Sequence, residues 1–290
     1  MARMGRQKFT NKQNMLHKSV LCVWYSFCSC LIYKPAGRKS FCLLEKLPGM
    51  SILNVFYDWM HCKHLGADQY VYGSVLWILV YKVLTLSAEE NLKNLWDKVV
   101  KFYIDQKVPS RYTAMKITMF IKTSDPGPKL RGKAAQVKDF GKPLLHVWQH
   151  FSNQHTPHRD KITVLLKATV QQEDLLHQYK YTYALPTGAA YTFKQLVFSM
   201  LQLQADLAHS YAIAGVKLFT MTQKSHFLAH LALTCDKVNP SVVWCYKGED
   251  YMHVMRVLTE NCVKGNSALQ VSHKIAEHYR LALHFELKGL

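Results

Sequence analysis

The chain has 290 residues, 49% of them hydrophobic, with 37 Lys and Arg against 19 Asp and Glu and a formal net charge of +18. That length and apolar content support a sizeable buried core, in one large domain or two small ones, and exclude disorder as the default reading. The basic excess runs along the whole length rather than in one tail, so the expected partner is a polyanion, nucleic acid first and an anionic membrane surface second.

In chain order, residues 1–18 are basic and polar and are expected to be poorly ordered. Ser19 to Tyr33 is an apolar run behind that basic start, similar to the apolar part of a signal peptide. It lacks a small-residue cleavage site and is too short to span a membrane comfortably, so a membrane role is disfavoured and a nuclear or cytoplasmic location is expected. Lys34 to Lys39 and Leu47-Pro48-Gly49 read as turns, which makes residues 1–45 a basic, Cys-rich leader, partly disordered. The run Ile52 to Tyr57 predicts a short buried strand with Asp58 at its end, where an α/β sheet usually presents its chemistry.

From Gly66 onward helix signals dominate, and no strand pair is expected between residues 66 and 235. Tyr70 to Leu86 reads as a buried helix rather than a span, because Lys82 interrupts it. Ser87-Ala88-Glu89-Glu90 is a capping box, and Leu92, Leu95, Trp96, Val99, Val100 and Tyr103 form one stripe, which predicts a helix over 88–105. Thr123 to Lys142 begins as a Pro- and Gly-rich basic loop and leads into a helical face at Leu144, Leu145, Trp148 and Phe151. A break at Gln154 to Asp160, including His155, precedes a helix marked by Ile162, Leu165, Leu166, Thr169 and Val170. After the turn at Leu185 to Gly188, a long amphipathic stretch from Phe193 to Tyr211 ends at Gly215, a C-terminal cap. Two more helices are predicted, Gly248 to Cys262 with Tyr251 and Met252 in register, and one starting at Ser272 as N-cap.

The chemistry-bearing residues are few. The cysteines Cys22, Cys28, Cys30, Cys42, Cys62, Cys235, Cys245 and Cys262 show no CxxC spacing and read as reduced thiols. The Gly-rich, P-loop, GxSxG and HExxH signatures are missing, which disfavours dehydrogenases, P-loop NTPases, serine hydrolases and zincins and leaves no small-molecule cofactor expected. Asp58 at a strand end and Glu249 at a helix start are candidate ligands for a two-metal phosphodiester site with Mg²⁺ or Mn²⁺, although Glu249 there also suits the helix dipole. His226 and His230, four apart, share a helix face and are metal candidates or ordinary packed histidines. His61 and His64, three apart, could likewise line one side of a helix. Lys129, Arg131, Lys133, Lys138 and Lys142 are the candidate nucleic-acid contacts, and Lys180 between Tyr179 and Tyr181 is another basic group that could track a phosphate backbone.

The order Asp58-Trp59-Met60-His61, Leu65-Gly66, a long helical stretch, Lys224-Ser225-His226 with His230, then Trp244 to Asp250 resembles the catalytic half of eukaryotic cut-and-paste transposases. The similar groups are those whose RNase H-like core is split by a helical insertion, of the CACTA or Kyakuja-Dileera-Zisupton type. The resemblance implies that Asp58 and Glu249, 191 residues apart, stand where the second and third catalytic carboxylates of those enzymes stand, with His61 as part of the D-x-x-H pattern and His226 and His230 as its histidine-rich segment. It implies a mainly α fold, with a helical insertion over 87–235 and a small remnant of an RNase H-like α/β core over 46–86 and 236–290. No Asp occurs among residues 1–57, so the first catalytic carboxylate has no counterpart and a truncated, inactive transposon-derived protein that binds DNA is expected. The alternative is a non-enzymatic helical nucleic-acid-binding or scaffolding protein.

Overall fold

The computed structural model describes residues 56–122, 124, 127–152, 156–263, 265 and 267–288, without the side chains of 247–254, 268, 269, 286 and 287. The leader, the apolar run Ser19 to Tyr33, the two early turns, four of the cysteines, His155 and Ile52 to Val55 of the expected strand lie outside the described residues. Phe56 and Tyr57, the end of that expected strand, carry no regular structure.

The described chain is mainly helical, as the periodicity predicts, and no β-strand occurs among the described residues. The α/β remnant expected from the resemblance therefore has no counterpart there. A π-wound turn, Met60–Ala67, runs into α1 (Asp68–Ile78) and a second π-wound turn (Leu79–Val83). Then come α2 (Ala88–Asp105), α3 (Ala134–Phe151), α4 (Pro157–Gln178), α5 (Thr187–Ile213), α6 (Gln223–Thr234), α7 (Tyr246–Val263) and α8 (Ala268–Lys288). No described helix is long and apolar enough to cross a membrane.

Local signals set many of these boundaries. At α2 the Ser87 hydroxyl accepts from the Glu90 backbone N–H while the Glu90 carboxylate accepts from the Ser87 N–H, so both orphan donors are satisfied. Gly215 follows α5 with φ of 74°, and its open surroundings leave conformation rather than space as the reason for glycine. α3 begins at Ala134, so Lys138 and Lys142 belong to a helix rather than to the basic loop. Ser272, expected as an N-cap, sits inside α8, which starts at Ala268.

Two compact units divide between Trp244 and Cys245. In the first, one hydrophobic core joins the helices before residue 87 to those after it, with Trp59, Tyr72, Phe120, Phe140, Trp148, Phe193 and Phe219 fully buried. α4 and α5 pack along each other as a hairpin, and α6 packs on both α5 and the first π-wound turn. Segment 128–131 runs across α1, where Leu130 N–H donates to the Gln69 carbonyl at 2.8 Å. The approach is so close that a Cβ on Gly73 would meet the Lys129 backbone nitrogen at 2.7 Å. In the second unit α7 packs on α8, and the buried Cys262 thiol lies 3.7 Å from His278 Nδ1.

Candidate functional site

The D-x-x-H-x-x-x-L-G stretch begins as a helix start. Both carboxylate oxygens of Asp58 accept backbone N–H groups, Oδ1 from Met60 and Oδ2 from His61, each at 3.1 Å, and Oδ2 also pairs with the His61 ring. That is the geometry of a capping carboxylate at the positive end of a helix. His61 remains about half exposed, whereas His64 is fully buried. The expected histidine pair on one helix side is thus split: the π-winding, with Leu65 and Gly66 outside helical backbone angles, turns His64 inward.

Inside, the same turn carries a buried charge network. Lys63 is fully buried, and its Nζ donates to both oxygens of Asp68, at 3.0 and 2.8 Å. Lys63 also lies 3.5 Å from Glu173 Oε1 on α4, which pairs with His64 Nε2 at 2.9 Å and accepts from Trp59 Nε1 at 3.2 Å. Burial pushes the Asp68 carboxyl up, and Lys63 and His64 only partly offset it. Burial would also raise Glu173, but the adjacent His64 and Lys63, with hydrogen bonds from His64 and Trp59, hold it well below the usual carboxylate range. Four charge-bearing groups thus satisfy one another across the joint between the first helical stretch and α4, as buried charges must.

The Leu65-Gly66 kink frees a carbonyl, and the Lys224 ammonium at the start of α6 donates to Leu65 O at 2.8 Å. A Cβ at Gly66 would come within 3.0 Å of the Lys224 chain and 3.1 Å of the His61 carbonyl, so a larger residue would have to push the Lys224 side chain aside. Burial and the nearby Lys129 hold the Lys224 ammonium below its ordinary value, against the pull of Cys62 and Asp58. Burial beside Asp58 pushes the Cys62 thiol up to about 12, and burial does the same to Cys235, which makes both poor nucleophiles. The described cysteines Cys62, Cys235, Cys245 and Cys262 form no disulfide.

One turn further along α6, His226 Nε2 and His230 Nε2 lie 2.9 Å apart, and Tyr57 stacks on Phe227 with ring centroids 4.4 Å apart and also touches His230. Burial, with His226 beside it, pushes His230 down to about 4, so it is a neutral imidazole at pH 7. The structure therefore brings the Asp58 segment together with the Lys224 to His230 segment.

Glu249 is in α7, in the other unit, and its side chain lies outside the described residues. Among the described residues no three His, Cys, Asp or Glu side chains are grouped to hold a metal ion. The Asp58 oxygens accept capping N–H groups, and the Mg²⁺ or Mn²⁺ site expected from the sequence has no assembled ligand set among the described residues.

The five candidate nucleic-acid residues divide between a loop and a helix. Lys129 lies over the Tyr70 ring at 5.4 Å, and Arg131 donates to the Thr118 carbonyl at 3.2 Å. Lys133 is exposed just before α3. Lys138 and Lys142, four apart on α3, pair with Asp139 at 3.6 Å and Asp174 at 2.6 Å.

Two residues that organise the first unit were not singled out in the sequence. Glu173 falls on the α4 stripe that continues from Ile162, Leu166 and Thr169, and a carboxylate in a core stripe is a signal that could have found it. Asn239, fully buried, clamps the turn between α4 and α5, and its local sequence gives no comparable sign. No family model, curated protein or solved structure matches the chain.

Proposed function

We propose that this protein is a helical, non-enzymatic nucleic-acid-binding protein, with DNA as its partner, descended from a cut-and-paste transposase. The observation that carries the binding reading is where the charge lies. The fully buried Lys63 is matched by Asp68 inside the first unit, and Glu173 is engaged by Lys63, His64 and Trp59. The other described Lys and Arg side chains reach solvent at least in part, and on a strongly basic chain that favours a polyanion. Lys142 and Asp174 are both more than half exposed, so their ion pair is weak and gives way readily to a phosphate.

Descent is supported by one contact. The Asp58 to Gly66 stretch and the Lys224 to His230 stretch, both named by the resemblance, meet through the Lys224 to Leu65 bond across 159 residues of sequence. Phosphodiester cleavage is not part of the proposal, because the Asp58 carboxylate is engaged as a helix cap.

Fluorescence anisotropy of the full chain with a labelled DNA duplex, across a salt series, tests the binding reading. The logarithm of the affinity should fall linearly with the logarithm of salt concentration, and exchanging Lys138 and Lys142 for Gln should flatten the slope by about two. Absence of binding at low salt would sink the reading.

A further inference from the structure

The turn between α4 and α5 combines two properties that folding alone does not require. Its backbone is fixed from a distance: Asn239 Nδ2 donates to the carbonyls of Tyr179 at 2.8 Å and Thr182 at 3.0 Å, and the Asn239 N–H donates to the Tyr183 carbonyl at 2.7 Å. Asn239 is in turn held by Ser241, whose N–H and hydroxyl both donate to Asn239 Oδ1. A second tie, from the Leu185 N–H to the Cys235 carbonyl at 2.9 Å, fixes the far end of the turn.

Yet this fixed turn displays large rings to water. Tyr181 is 90% exposed, Tyr183 68%, and Tyr191, on the first turns of α5, 66%. Rings so exposed contribute little to the core, and a turn of this kind is ordinarily built from Gly, Asn, Asp or Ser. The Lys180 ammonium lies 4.8 Å from the centre of the Tyr181 ring, and Lys237, next to the Asn239 clamp, is also exposed. Lys194 is matched by Asp236 at 3.3 Å. Solvent-facing aromatic rings carried on a fixed backbone and interleaved with ammonium groups, on a strongly basic protein, suit bases that are free to unstack, with the phosphates between them.

We propose that the Tyr179 to Tyr183 turn and the start of α5 form a stacking platform for single-stranded nucleic acid, with Tyr181, Tyr183 and Tyr191 stacking bases and Lys180 and Lys237 meeting the backbone. A protein partner could also use exposed tyrosines, but the adjacent ammonium groups and the overall charge favour the polyanion. The platform rests on the nucleic-acid-binding reading above and names the strand form that this part of the surface takes.

The test uses the full chain, a labelled oligothymidylate and a labelled duplex, at one fixed salt concentration. Tyr181→Ala and Tyr183→Ala should each weaken oligothymidylate binding about tenfold and leave duplex binding unchanged, whereas Tyr181→Phe should bind as the parent does. These side chains are exposed, so the variants keep the fold, and an unchanged melting temperature checks this. If the parent binds single strands and the alanine variants bind them equally well, the platform is overturned while the binding reading stands. If the parent binds neither strand form at low salt, the binding reading itself falls. Self-association that is lost in Tyr181→Ala, with single-strand binding unchanged, would assign the surface to a second copy of the chain and also overturn the platform.

Discussion

Two regions of this protein use charged side chains in opposite ways. At the joint of the first π-wound turn with α4, Lys63, His64, Asp68 and Glu173 face inward and use up one another's charge. On α3 and in the α4 to α5 turn, Lys142 and Lys180 stand in water with weak partners or an aromatic ring. The same residue types therefore differ in what they can do: a buried lysine holds helices together and is costly to lose, whereas an exposed one contributes little to stability and is available to a phosphate.

The sharpest way to break this contrast is Lys63→Ala. It leaves Asp68 buried without its cation and removes the ammonium beside Glu173, and should cost about 3–5 kcal/mol in urea unfolding. Replacing Lys63 and Asp68 together by Met and Leu should recover most of that loss, because no uncompensated charge from that pair then remains. A loss under about 1 kcal/mol for Lys63→Ala would mean that the pair is not dry, since exposed pairs are worth no more than that.

Acid should act in two stages. His230 is held at about 4 against its ordinary 6.5, so the unfolded chain binds the proton first and stability falls as pH drops from 6.5 towards 4. The expected loss is on the order of 1–3 kcal/mol, and His230→Gln should remove this stage. Glu173 is held below its ordinary 4.5, so its contribution is present above that value and is lost as pH falls further. Asp68, raised by burial above its ordinary 3.8, acts in the opposite direction at pH values above 3.8 and so offsets part of the first stage. An acid unfolding curve for His230→Gln that matches the parent between pH 6.5 and 4 would contradict the first stage.

How much of this was legible in the sequence depends on the distance over which each feature is determined. α2 was readable to its ends because Ser87 and Glu90 close a box within four residues and the Leu92, Leu95 and Val99 stripe lies on one face. Gly215 marked the end of α5 for the same local reason. The split between His61 and His64 was not readable, since the π-winding that causes it is held by Lys224 and Glu173, each more than 100 residues away. The capping bonds of Asp58 were not foreseen, because an N-capping carboxylate and a metal ligand have the same local sequence. Periodicity gave no sign that the Asp58 and Lys224 segments would meet, because that contact joins residues 159 positions apart.

The central claim is that Asp58 is a structural cap on a nucleic-acid-binding scaffold. The most direct measurement is Asp58→Ala in the full chain, followed by urea unfolding and duplex anisotropy on the same preparation. Loss of about 1 kcal/mol of stability, as for a missing N-cap, with duplex affinity unchanged, is the predicted result. Unchanged stability, together with loss of a Mg²⁺-dependent nicking of plasmid DNA that the parent performs, would contradict the account and return Asp58 to a catalytic role.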